Sequence, residues 1–295
     1  MPPIRLWIMA ARPRTLPAAI SPVLVGTAAA VDVAHDLRVG AFVAALIGSV
    51  FIQIGTNLAN DYSDARRGAD AADRLGPVRV TSSGLVAPRR VLVATWVAFG
   101  VAVAAGIYLA TVAGVVILIV GAASIAAGVL YTGGPRPYGY EGLGELFVFL
   151  FFGLVAVNGS YYVQLEHLDW LPFGLSLGVG FLATAILVVN NVRDLETDRR
   201  AGKRTLAVRI GRDRTRRLYA LLVALAFISV AVTLLAADGP AWGLLALAAV
   251  PLARRPLQAV MTRTDGPSLN GALAGTGALL AVFSLLLAGG LLIGA

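Results

Sequence analysis

Long apolar stretches broken by short charged segments dominate the chain. A helix needs about 20 mostly apolar residues to cross a hydrocarbon core of ~30 Å. Nine segments meet or approach that length, at about 15–31, 41–60, 91–110, 112–131, 145–165, 170–191, 217–236, 240–260 and 270–293. They predict an all-α, polytopic membrane bundle of about nine transmembrane helices, with residues 1–295 as a single membrane-embedded domain. The eighth segment is the weakest. Arg254 and Arg255 interrupt it, Pro251 bends it, and its apolar part is expected to stop near Leu252. The first 26 residues do not read as a signal peptide, because prolines break their apolar run and they lead straight into the first span. A short amphipathic lead-in with Trp7 near the interface is expected.

The connections sharpen this picture. With a cytoplasmic N-terminus, one side receives Arg5, Arg12 and Arg14, the loop after span 2 (Arg66 to Arg90), Arg136, the loop after span 6 (Arg193 to Arg217) and the exit of span 8. Every one of the 24 basic residues except Arg38 then falls on that side. Basic residues concentrate in cytoplasmic loops, so the asymmetry predicts an N-in, C-out protein of the plasma membrane with an odd number of spans. The outer connections are short. The long ones, about 60–90 and 191–217, lie together on the inner side and predict a cytoplasmic cap over helices 2 and 6, where long loops in a compact domain usually carry function.

Composition excludes several alternatives. The chain is 58% hydrophobic and 14% charged, against roughly 25% charged in soluble domains. Lipid must therefore be the solvent for much of it, and mean hydropathy is +0.81. The net charge of +8 reads as positive-inside topology rather than as a nucleic-acid surface, and no nucleic-acid partner is expected. With no cysteine and two histidines, disulfides, thiolate metal sites and His-rich sites are out. His35 and His167 fall in outer loops. Trp7, Trp170 and Trp242 fall near span ends as belt residues. Homo-oligomerisation is compatible with the chain.

Two Asp-rich motifs carry the candidate chemistry. Span 2 ends in GTNLANDYSDARRGAD (55–70), where Asn57, Asn60 and Asp64 share a helix face, Asp61 and Asp64 are i, i+3, and Asp70 follows Gly68. Span 6 ends in NNVRDLETDRRAGK (190–203), where Asn190, Asp194 and Asp198 recur every four residues and Lys203 follows Gly202. Carboxylates gathered without His or Cys suit a hard cation, and Mg²⁺ takes one or two carboxylates plus substrate phosphates. Two facing columns predict one Mg²⁺ each, clamping a diphosphate, with nearby Arg and Lys taking the remaining phosphate charge. The plain alternative is polar helix ends held by i, i+4 pairs. The likeness of the two motifs also hints at an internal duplication.

At these residues the sequence resembles the UbiA superfamily of intramembrane prenyltransferases. The first motif of that family is matched by Asn60, Asp61 and Asp64, while Gly68 stands at its last acidic position and Asp70 comes two residues later. The second is matched by Asp194 and Asp198, with Lys203 at the following lysine. The shifted first motif is similar to the menaquinone branch, as are the segments at 11–26, 78–86, 131–145, 153–164 and 190–211. Beyond residue 211 the likeness is only hydropathic.

The resemblance implies transfer of a polyprenyl group from polyprenyl diphosphate to 1,4-dihydroxy-2-naphthoate, with loss of diphosphate and CO₂, giving demethylmenaquinone. It implies Asp64, Asp194, Asp198 and Lys203 as catalytic residues. Metal is expected on Asn60, Asp61, Asp64, Asp70, Asp194 and Asp198. Substrate contacts are expected from Arg79, Arg14, Arg136, Asn60, Tyr131, Ser83, Tyr138 and Asn190. Tyr138 and Tyr140 fit either stacking on the naphthoate or anchoring at the interface. The abundant Gly and Ala fit either close helix packing or a tunnel for the tail. Glu141 and Glu145 fit the N-terminus of span 5. The rivals are a related enzyme for another acceptor such as 4-hydroxybenzoate, a cation-coupled transporter, and a CDP-alcohol phosphotransferase, whose Asp/Gly pattern the chain lacks.

Overall fold

The computed structural model describes residues 3–68 and 75–295, and among these it contains helices and turns but no strand. After a short N-terminal helix, Pro3–Ala11, nine longer elements follow. They are α1 (Pro17–Ala34), α2 (Val39–Arg66), α3 (Pro88–Ala113), α4 (Val116–Leu130), α5 (Gly144–Leu165), α6 (Trp170–Arg200), α7 (Arg212–Ala236), α8 (Ala241–Thr262) and α9 (Gly266–Gly294). Eight of them are long and apolar enough to cross a membrane. The chain is thus an all-α, multi-pass membrane bundle.

The exception is α4, expected at 112–131. It has 15 residues, about 22 Å of helix, short of the ~30 Å core. Glycines set its limits. Gly114 (φ 83°) ends α3, and Gly134 (φ 75°) turns the chain after α4. The weak eighth span changes character where expected. Ala241–Ala253 winds as a 3₁₀ helix, and an α-helical part begins at Arg254. Thirteen residues wound this tightly reach about 26 Å, where an α-helix would reach about 20 Å.

The two motif-bearing helices run further than their apolar stretches. α2 has 28 residues and α6 has 31, about 42 and 46 Å. The added length carries Asp64 and Asp198 past the apolar stretches while keeping them on helix. α6 is the central strut. Leu175, Val179, Leu182, Val188, Val189 and Val192 are fully buried in one core with α1, α5, α7, α8 and α9. Side chains with no polar atoms let it sit among neighbours on all sides. Asp169 caps its start by accepting from Trp170 N. Small residues set the spacing. A Cβ on Gly26 would lie 2.1 Å from the Val157 carbonyl oxygen, and one on Gly153 would lie 2.7 Å from Gly180 Cα, so α1–α5 and α5–α6 touch backbone to backbone.

The N-terminal helix lies against α2 through Met9, Ala10 and Leu58, with Ile4 and Ile8 exposed. Trp170 and Trp242 are exposed near helix starts. Arg38, the one basic residue outside the charge pattern, pairs with Glu166 at 2.7 Å across the α1–α2 and α5–α6 turns.

Candidate functional site

The last three turns of α2 bury an unusual set of polar groups: Asn57, Asn60, Asp61 and Asp64. A buried carboxylate must be paired or it destabilises the fold. Asp64 is 1% exposed and takes three partners. Arg79 Nη2 lies 2.6 Å from its Oδ2, Lys203 Nζ lies 3.4 Å from the same oxygen, and the Tyr140 hydroxyl donates to Oδ1. These come from the loops after α2, α6 and α4 respectively, so one carboxylate ties three loops together. Gly202 (φ 73°) makes the turn that sends Lys203 back, and Lys203 N donates to the Asp198 carbonyl at 2.9 Å. Lys203 thus reaches across to the first motif rather than covering only its own.

On α6, Arg193 grips Asp194 side-on, with Nε to Oδ1 at 2.8 Å and Nη2 to Oδ2 at 2.6 Å. The same guanidinium donates to Asn190 Oδ1 and, from α9, Asn270 Oδ1. Asn270 in turn donates to the Leu75 carbonyl. Arg193 is among the most buried side chains of the molecule, and its planar fork suits two-point contact with a carboxylate.

Asn60, Asp64, Arg79, Asn190, Asp194, Asp198 and Lys203 line one cavity of about 370 Å³. Tyr131 and Tyr138 line it too, and Tyr138 stacks on Phe147 with ring centroids 4.0 Å apart. Away from this polar end the lining is apolar, from Ile52, Phe151 and Val155 to Ala45, Leu109, Ile117 and Val163. Ala45 and Asp64 lie on one helix about 28 Å apart. The cavity therefore joins a charged mouth to a long greasy channel.

Tyr140 spends its hydroxyl on Asp64 and its ring lies under Lys203 Nζ at 4.7 Å, so it braces the site. Burial and then Asp64 push its phenol well above the usual range. Burial and then Glu145 do the same for Tyr131, and burial does so for Tyr138. All three stay protonated donors at neutral pH.

Other expected residues are placed differently. Arg14 and Arg136 are exposed and outside the cavity lining. Ser83 is exposed and closes its own turn on the Arg79 carbonyl. Asp61 accepts two backbone N–H groups and does not line the cavity. Asn57 does line the cavity, and it also ties α2 to Ala11 and Thr15. Asp70 and Arg74 lie outside the described residues.

Sequence reasoning missed Arg12, Thr132, Arg193 and Asn270. Arg12 lines the cavity in the left-handed conformation (φ 54°), and Thr132 donates to Asn60 Oδ1 at 2.8 Å. Arg193 had a signal, since a charge at that depth in an apolar helix needs a buried partner. Asn270 had none. Glu145 is buried and accepts from Asn191, behind the cavity wall.

The donor set tests the expected metal. Among the described residues no three acidic or imidazole side chains converge to hold an ion on their own. The columns are not a ready-made cage, because Arg79, Lys203 and Arg193 hold the carboxylates. The oxygens of Asn60, Asp64, Asp194 and Asp198 in the cavity lining still fit Mg²⁺, which needs only one or two carboxylates when phosphates and water complete its shell.

The multi-pass helical bundle gathers acidic and basic side chains at the mouth of a deep apolar channel, a shape and polarity that suit a long amphiphile with an anionic head. The chain belongs to the UbiA prenyltransferase family, whose profile matches residues 19–269. It is 45% identical to a 1,4-dihydroxy-2-naphthoate octaprenyltransferase of Mycobacterium tuberculosis, over 98% of this chain and 97% of that one. It is 39% identical to the protein of the same name in Escherichia coli, over 93% and 91%. Among solved structures, a UbiA homolog from Archaeoglobus fulgidus bound to DMAPP and Mg²⁺ has the same fold, with TM-score 0.66 and 16% identity over 97% of this chain and 99% of that one. A UbiA homolog from Aeropyrum pernix gives TM-score 0.67 and 13% identity, over 93% and 97%.

Proposed function

We propose that the protein transfers a polyprenyl group from polyprenyl diphosphate to 1,4-dihydroxy-2-naphthoate, a step of menaquinone biosynthesis. The observation that carries this reading is the single cavity joining the two Asp-rich motifs to an apolar channel. The likeness to the naphthoate octaprenyltransferases supports the acceptor.

In this reading the diphosphate sits at the charged mouth and the tail runs along the channel. Arg79, Lys203 and Arg12 hold phosphate oxygens. Asn60, Asp64, Asp194 and Asp198 would hold two Mg²⁺ ions, which would supply charge neutralisation for the departing diphosphate. Breaking the allylic C–O bond releases diphosphate and leaves a cationic allylic carbon. The acceptor ring, placed against the Tyr138–Phe147 stack, attacks with its carboxylated carbon. A C–C bond forms, the carboxylate leaves as CO₂ and its bonding electrons return to the ring, and the product is the hydroquinone form of demethylmenaquinone. No electrons are exchanged. The chain's part is positioning, exclusion of water by the apolar wall, and a field matched to the leaving anion.

The cavity mouth, the N-terminal segment and the long basic loops are placed on the cytoplasmic side, on the strength of the charge asymmetry.

The test is product formation by purified protein with polyprenyl diphosphate and either acceptor. Prenylated naphthoquinol with 1,4-dihydroxy-2-naphthoate, lost on chelation with EDTA and restored by Mg²⁺, is expected. Product with 4-hydroxybenzoate alone overturns the acceptor, and full activity in EDTA overturns the metal.

A further inference from the structure

Asp61 stands between two cavity-lining residues in sequence terms, Asn60 and Asp64, yet its carboxylate faces elsewhere. Both of its oxygens are occupied. Val80 N donates to Oδ2 at 3.0 Å and Thr81 N donates to Oδ1 at 3.1 Å. Asp61 is 2% exposed and Val80 is fully buried. Without this carboxylate two adjacent buried amides would have no acceptor in place, which costs as much as the bonds themselves. The segment they belong to is otherwise a self-contained turn. Val86 N donates to the Val80 carbonyl, Gly84 N to the Thr81 carbonyl, and Ser83 Oγ to the Arg79 carbonyl. The residue immediately before the two anchored amides is Arg79. It donates to the Asn60 carbonyl at 2.9 Å and pairs with Asp64 at 2.6 Å.

We propose that Asp61 is a positioning residue: its carboxylate latches the 79–86 turn to α2 through two backbone amides and thereby delivers Arg79 to the cavity mouth. Adjacent acidic residues of one motif thus divide the work. Asp64 faces the substrate cavity, and Asp61, offset from it by about 60° round the helix, faces the turn that closes it. The kinetic arm of this inference rests on the diphosphate-transfer reading above, whereas the latch itself does not.

The test compares wild type and Asp61→Asn in detergent by hydrogen exchange and kinetics. Asparagine keeps the size but turns an N–H₂ toward one of the two amides. Exchange at Val80 and Thr81 is expected to rise about tenfold or more, the loss of charged acceptors from two amides, while α6 peptides stay protected. The KM for polyprenyl diphosphate is expected to rise about tenfold as Arg79 loses its place. The Mg²⁺ concentration for half-maximal rate stays unchanged, and D61N/R79A is no worse than R79A alone, because both changes remove one interaction. Unchanged exchange at Val80 and Thr81 overturns the latch, whatever substrate the enzyme uses. A raised Mg²⁺ requirement with additive losses in the double variant makes Asp61 a metal ligand and overturns it too. If D61N does not accumulate, Asp61→Glu, which retains the charge but misplaces both oxygens, is expected to move exchange and KM in the same directions. Wild-type values in that variant overturn the latch.

Discussion

The carboxylates at the mouth differ in what their removal leaves behind. Asp64→Ala and Asp194→Ala are each expected to lower turnover by roughly 10²–10³, the range for losing one preorganised electrostatic contact. Membrane insertion should persist in both. Near-wild-type rates in both would mean that the carboxylates are only counter-ions. Asp194→Ala also strands the buried Arg193, at about 3–5 kcal/mol of stability. A thermal scan should therefore show it well below Asp194→Asn, which leaves the guanidinium an oxygen. Tyr140→Phe removes one donor to Asp64. Its kcat/KM should fall about tenfold, as for a hydrogen bond to a charged group, with little change in melting temperature. Spacing alone placed Asn60, Asp64, Asn190, Asp194 and Asp198 on two columns, since i, i+4 positions share a face in any helix. It did not distinguish Asp61 from Asp64 in role, because which loop packs on a face is decided by distant residues such as Val80.

Helices were legible wherever hydropathy and length agreed, and their ends were not. The apolar windows of α2 and α6 stop near 60 and 191, whereas the helices continue to Arg66 and Arg200, as the shared faces of Asn60 with Asp64 and of Asn190 with Asp194 and Asp198 required. Asp, Arg and Glu end a membrane-spanning stretch without ending a helix, since backbone hydrogen bonds do not depend on the solvent around the side chains. Glycines were readable as small and frequent but not as contacts. Gly26 and Gly290 would each put a Cβ within about 2.1 Å of a carbonyl oxygen, of Val157 and Trp242 respectively. Gly26→Val and Gly290→Val should each lower the yield of folded protein and its melting temperature, by an overpacking cost of about 1–3 kcal/mol or more. Gly121→Ala, where a Cβ meets open space, serves as the neutral comparison for melting temperature.

The absence of cysteine makes the orientation of the whole molecule directly measurable. Ser82→Cys and Ala237→Cys both place a thiol at exposed positions, one in the turn beside Arg79 and one after α7. In intact cells a membrane-impermeant maleimide should label Cys at 237 and spare Cys at 82, and the reverse pattern would invert the topology. The one basic residue outside the charge pattern, Arg38, pairs with Glu166 in the exposed α1–α2 and α5–α6 turns. A different consequence follows from Lys203 reaching Asp64 across 139 residues of sequence. A ribosome adding about 5–20 residues per second needs roughly 7–28 s to pass from one to the other. Through that interval α3 to α6 are made, Asp194 and Asp198 come only near its end, and the mouth lacks Lys203. The nascent protein therefore has most of the apolar lining before it has the full set of charged groups at the mouth, which is complete only after the sixth helix and the turn beyond it have left the ribosome.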